Sequence, residues 1–219
     1  VVDAGVCKRS RQSDYDDEVE HAGIQKIYDL ARFNRDKPFL LWVSFTHPHS
    51  PFVTTHKYWD LYDHDAIDMP KVGPIPVDDQ DEMSRWLHYA HAQDLLTIAD
   101  EHVRNARHAY YGMVSYLDEK VGRIMATLAE MDLDDDTVVV LTSDHGEMLG
   151  ERGAWFKQYF YEPSTGVPLI IRSPNRYKPG RVSELVSLVD LLPTFMDLAT
   201  DGNALEPVSS LDGHSLTGL

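Results

Sequence analysis

The 219-residue chain carries 42% hydrophobic and 26% charged residues, the balance of a folded domain, which excludes disorder as the default. Its formal net charge of −16 repels nucleic-acid phosphates and anionic membrane surfaces, so neither is expected as a partner. One cysteine, Cys7, excludes an internal disulfide and fits a reducing, cytoplasmic setting, and no apolar run reaches the roughly 20 residues of a membrane span.

At the start, "VVDAGVCKRS" has no Met, no basic leader and no apolar h-region, and the far end, "LDGHSLTGL", reads as loop, so the chain is expected to be cut at both ends. "DDEVEHAGIQKIYDLARF" predicts a helix, with Ile24, Ile27, Tyr28 and Ala31 at helical spacing, acids at its start and Arg32 at its end. Phe39 to Phe45 is nearly all apolar and stops at "THPHSP", which predicts a strand buried on both faces that ends in a loop. From Val53 to about Glu101 the pattern is irregular, interrupted by Pro70, Pro74 and Pro76.

The strongest periodicity follows. Tyr110, Val114, Leu117, Val121, Ile124 and Leu128 recur at steps of four and three, predicting a long helix that buries this stripe and leaves Glu119, Lys120 and Arg123 in solvent. "TVVVLTS" and "GVPLIIRSP" predict two more buried strands, and "SELVSLVDLLPTFMDLA" a short strand leading into a helix with Asp190 as N-cap and Pro193 in its first turn. Strands alternating with helices argue for an α/β layered fold with a largely parallel sheet, whose ligands bind outside the carboxyl ends of the strands.

That rule selects two loops. Asp144 and His145 stand where the strand Thr137 to Leu141 ends, and His47 and His49 stand where the strand ending at Phe45 ends. A carboxylate beside an imidazole is a workable pair of ligands for a divalent cation, and Gly146 next to them lets backbone approach closely. Arg152 and Lys157 add positive charge suited to a tetrahedral oxyanion. An ordinary solvated turn is the competing account of the same acids and glycines. Tyr58, Trp59, Tyr62 and Trp86 could face a quaternary ammonium, although packing explains them more simply, and the histidines at 56, 64, 88, 91, 102 and 108 lack metal-ligand spacing and read as surface or structural.

The loop "SDHGEMLGERGAWFK" with "SFTHPHSPF" resembles the sulfatase branch of the alkaline phosphatase superfamily, and with "DYDDEV", "YWDLY" and "SYLDEKVG" in this order the chain is similar to its choline-sulfatase group. The resemblance implies an alkaline-phosphatase-like sandwich with a largely parallel central sheet flanked by helices, residues 1–219 forming the central-to-C-terminal part of one catalytic domain. It implies a hydrolase of small sulfate esters, choline-O-sulfate first, with an arylsulfatase, a phosphonate or phosphodiester hydrolase, or a non-catalytic remnant as alternatives.

In that resemblance Asp144 and His145 are ligands of one divalent ion, usually calcium, and Lys157 and His49 contact the sulfate, His49 also helping the alcohol to leave. It further implies a homo-oligomer and a formylglycine nucleophile made from Cys or Ser. His47, one step off the H-x-P motif, is expected to be structural. Two departures stand out. The chain has no C/S-x-P-x-R motif and no second pair of metal aspartates near it, because "CKRSR" places Arg9 where the proline belongs, so the formylglycine is expected upstream and the 219 residues alone without turnover. Gly166 stands where the family usually has Arg.

Overall fold

A computed structural model describes residues 1–33, 37–200 and 210–219. Helix α1 (Arg11–Phe33) begins where the Ser10 hydroxyl accepts the Ser13 amide at 3.0 Å, with Asp14 in its first turn and Arg32 in its last, both favourable to the helix dipole. Its inward stripe is Asp16, Glu20, Gly23 and Ile27, at steps of four, three and four. Two of these four residues are acids, so α1 is held to its neighbours by charge as much as by apolar contact.

Residues 43–50 run back along α1 and turn at 47–48. Val43 lies against Gly23, the Thr46 and His47 amides meet Asp16, and the His49 and Ser50 carbonyls meet Gln12. The expected strand Phe39 to Phe45 is not formed: no described strand pairs with it, and Leu40 and Trp42 stay 76% and 72% exposed. An apolar run gives a strand only where another strand supplies its hydrogen bonds.

Two short strands, β1 (Gly5–Val6) and β2 (Val53–Thr54), pair in parallel. Beyond them the irregular excursion contains α2 (His56–Trp59) and α3 (Glu82–Ala90), the latter capped by Asp81, whose carboxylate accepts the Ser84 amide at 2.9 Å. Helix α4 (Asp100–Glu130) is the long helix the periodicity predicted. Its buried face is rotated by about one residue from the predicted stripe: Ala106, Ala109, Gly112, Met113, Tyr116 and Lys120 face inward, while Val114 is exposed. Small residues decide this, because Gly112 lets α4 close on β2 so tightly that a Cβ there would lie 2.7 Å from the Thr54 methyl. Phe52 and Trp155 complete that core with Ala106, Ala109 and Met113.

Lys120, expected in solvent, is 1% exposed. Its ammonium donates to Asp17 at 2.5 Å and to Glu20 at 2.8 Å across the α1–α4 contact, and Arg123 pairs with Glu20 and Glu119. Burial raises the Asp17 and Glu20 pKa values, but the donors from Lys120, Tyr116 and Arg123 outweigh it and hold both carboxylates below their ordinary range.

Strands β3 (Val139–Thr142) and β4 (Leu169–Arg172) pair antiparallel, with Val140 opposite Ile171. The described strands thus make one parallel and one antiparallel pair, and Leu141 and Ile170 remain exposed on them. Short α5 (Glu162–Thr165) precedes β4. The strand expected over 183–189 is absent: these residues are exposed up to a 3-10 turn at Leu188–Asp190, which leads into α6 (Leu191–Thr200). Asp190 does not cap α6 as expected; its carboxylate accepts the Ser187 amide and the His214 amide, each at 2.8 Å, and so fastens residues 213–216 beside the helix. Among the described residues, no helix is long and apolar enough to cross a membrane.

Candidate active site

The loop bearing His49 is fixed from α1. The Asp16 carboxylate, fully buried, accepts the Thr46 amide at 2.7 Å, the His47 amide at 2.9 Å and His47 Nδ1 at 2.6 Å. Burial pushes the Asp16 pKa up, but His47 and the two amides more than reverse it, so the group is an anion and His47 Nδ1 is the donor. His47 is structural, as its place in the sequence suggested. Four residues earlier on the same helix face, Gln12 donates both amide hydrogens, to His49 O at 3.0 Å and Ser50 O at 2.9 Å. Within the loop, His49 Nδ1 lies 2.7 Å from Ser50 O and must carry the proton to donate there, which leaves Nε2 as an acceptor. That acceptor faces Lys157, whose Nζ is 2.9 Å away and 108 residues along the chain.

The second loop leaves β3. The Ser143 hydroxyl donates to His145 O at 2.8 Å and the His145 amide to Asp144 Oδ1 at 3.0 Å. His145 Nδ1 sits 2.7 Å from Gly146 O, so its Nε2 presents a lone pair, 3.6 Å from Asp144 Oδ2. A backbone carbonyl holding the far nitrogen is the usual support of a metal-binding imidazole. The 3.6 Å separation suits two donors on one cation at ligand distances of about 2.0–2.6 Å, and Asp144 is 86% exposed, open to an incoming ion. The pair therefore fits part of a divalent-ion shell, although among the described residues no three His, Cys, Asp or Glu side chains converge on one point.

Gly146 is where the loop needs glycine. Its amide donates to Ser164 O and the next amide, of Glu147, to Pro163 O, both at 2.8 Å, and a Cβ at Gly146 would lie 2.0 Å from Pro163 O. The Glu147 carboxylate then accepts the Phe156 amide at 2.6 Å and the Leu149 amide at 3.3 Å, closing the loop on itself. Burial raises its pKa, and these amides with the nearby His145 and His49 imidazoles offset only part of the rise. Phe156 and Gln158 have φ of 68° and 80°, left-handed conformations that set the direction of Lys157 between them.

The structure unites His49 with Lys157 and Asp144 with His145. It does not join Arg152 to them: that guanidinium stacks 4.5 Å over the Tyr161 ring. Trp59 stacks on buried His108 at 3.6 Å, Tyr58 meets Tyr116 edge-on, and the Tyr62 hydroxyl bonds Ser115, so three of the four candidate aromatics are packing residues and Trp86 alone of them is largely exposed. Sequence reading missed Gln12, Asp16 and Glu147. The available signal was a pair of acids on the face of a helix where apolar residues are expected.

The fold is alkaline-phosphatase-like: the structure superposes on the phosphonate monoester hydrolase of Agrobacterium radiobacter with a TM-score of 0.76 and 26% identity, over 97% of this chain and 44% of that one. The chain belongs to the sulfatase family, which it matches over residues 7–201. It is 45% identical over 220 residues to a choline-sulfatase of Rhizobium meliloti (strain 1021), covering 99% of this chain and 42% of that protein. It is 32% identical over 200 residues to an arylsulfatase of Clostridium perfringens (strain 13 / Type A), covering 89% of this chain and 40% of that protein. The chain thus spans about two fifths of the length of these curated relatives.

Proposed function

We propose that the protein to which this chain belongs is a sulfuric ester hydrolase acting on choline-O-sulfate, with His49 and Lys157 on the sulfate and Asp144 and His145 on one divalent ion. The observation that carries the reading is the Lys157–His49 hydrogen bond at 2.9 Å, which sets a fixed cation beside an imidazole at the ends of two loops. The 45% identity to a choline-sulfatase supports the choice of substrate.

In this reading Lys157 donates to the non-bridging sulfate oxygens and stabilises the charge that grows there. His49, its Nδ1 engaged by Ser50, handles a proton only at Nε2, where it can meet the departing alcohol oxygen. The ion, calcium in this proposal because a carboxylate is a hard donor, supplies a further positive centre for the ester oxygens when bound. No Cys or Ser of this chain lies in a C/S-x-P-x-R motif, and the proposal assigns the formylglycine to the remainder of the longer protein. The same proposal takes the protein as cytoplasmic and homo-oligomeric.

A second reading has a specific observation behind it, the superposition on a phosphonate monoester hydrolase. Product release from choline sulfate, an aryl sulfate and a phosphonate monoester separates the two. Choline sulfate is expected to give the highest kcat/KM, and a preference for the phosphonate would reverse the choice. Lys157→Ala should lower kcat/KM about 10²- to 10³-fold, the worth of one oxyanion donor, and Asp144→Ala should lower bound metal and turnover together. A fully active, fully metallated Asp144→Ala protein would remove Asp144 from the site.

A further inference from the structure

Asp16 belongs to neither candidate pair, yet among the described residues every polar link between α1 and the His49 loop runs through it or through Gln12, one turn earlier. Its carboxylate, 0% exposed, takes two successive backbone amides and the His47 ring. Gln12 takes the next two carbonyls, those of His49 and Ser50. Residues 46–50 are therefore gripped on donors at one end and on acceptors at the other by side chains spaced four residues apart on one helix face. The His47 ring is backed by Tyr116 at 4.6 Å, and the Tyr116 hydroxyl in turn donates to Ser13 O and Asp17 of α1. Asp17, next in sequence, turns instead toward Lys120 on α4. The adjacent acids thus divide two tasks: Asp17 ties α1 to α4, and Asp16 ties α1 to the loop.

We infer that Asp16, with Gln12, is a positioning residue for His49. Gln12 fixes the Ser50 carbonyl that holds His49 Nδ1, Asp16 anchors the start of the same loop at Thr46 and His47, and together they fix which ring nitrogen faces Lys157. The carboxylate is needed as such, because three donors point at it and an amide presents hydrogens to at least one of them. The functional part of this inference rests on the sulfatase reading, while the geometric part stands without it.

The test is made on the full-length protein. Nitrogen-15 spectra of the histidine rings, recorded above the imidazole titration range, report the tautomer of each ring. In the parent protein His49 is expected as a single form with its proton on Nδ1. In Asp16→Ala, with circular dichroism matching the parent, His49 should become a mixture of tautomers and kcat on a sulfate ester should fall about 100-fold, the scale of an ångström misplacement, with KM within about threefold. Asp16→Asn, which keeps one acceptor, should fall between the two. A folded Asp16→Ala protein with unchanged His49 signals and unchanged kcat overturns the inference. Should Asp16→Ala fail to fold, Gln12→Ala gives the same readout, and an unshifted His49 ring in that variant overturns it as well. A parent protein that turns over no sulfate ester removes the sulfatase reading, and the ring signals still decide the positioning.

Discussion

Replacing Gly146 by Ala puts one methyl group into the tightest backbone contact of the site. Its Cβ would lie 2.0 Å from Pro163 O, 2.9 Å from Gly166 O and 3.0 Å from the Pro163 carbonyl carbon, all of them backbone atoms. Relief needs a retreat of about 1 Å. Hydrogen bonds of 2.8 Å from Gly146 to Ser164 and from Glu147 to Pro163 would then stretch past any useful length. Losing two such bonds costs about 2 kcal/mol, and residual overpacking raises the total to about 3 kcal/mol. For a chain of this size that corresponds to a fall in Tm of about 6–12 °C. Thermal unfolding by circular dichroism measures it, with Gly122→Ala as control. Gly122 lies in the middle of α4 with nothing within 4 Å of its would-be Cβ, so alanine there should stabilise by about 0.5–1 kcal/mol. A Gly146→Ala protein melting within a degree or two of the parent would refute the claim that loop and α5 are joined by close backbone approach.

Lys120→Ala should destabilise by about 3–5 kcal/mol, because it takes the buried ammonium away from buried Glu20 and exposed Asp17 and leaves a cavity between the helices; denaturant unfolding would show it, and a loss under 1 kcal/mol would mean that the pair contributes little. Stability should also depend on acid. Asp16, Asp17 and Glu20 are held below their ordinary range and Glu119, bonded by Lys57, is drawn down to about 2, so their contribution is full above the unfolded carboxylate range near pH 4 and is lost as pH falls through the depressed folded values. The melting temperature should therefore hold steady from neutral pH to about pH 5 and drop steeply below about pH 4, and a flat profile to pH 3 would contradict it.

How far the sequence could be read differs between kinds of element. Period and β-branching located α4, β3 and β4, since those patterns report backbone geometry directly. They could not tell which side of α4 is inside. Ala106, Ala109 and Gly112 carry weak hydrophobic signal, and their value lies in being small where β2 and Trp155 approach. Lys120 was misplaced for a related reason: its partners Asp17 and Glu20 are 100 or more residues away, and no local pattern reports them. The strand-end rule pointed to Asp144, His145, His47 and His49, and Lys157 was added with Arg152 for its charge. It passed over Asp16, whose part is legible only once α1 and residues 43–50 are seen side by side.

The left-handed residues on either side of Lys157 have an entropic consequence. A lysine side chain surrenders about 2 kcal/mol of rotamer freedom when it is fixed, and an exposed one does so at the moment an anion arrives. Here the backbone at Phe156 and Gln158 sets the direction of the stem and His49 Nε2 receives the ammonium, so that freedom is given up during folding. In the proposed sulfate site an anion would meet a donor already aimed, and its affinity would not be reduced by ordering the lysine.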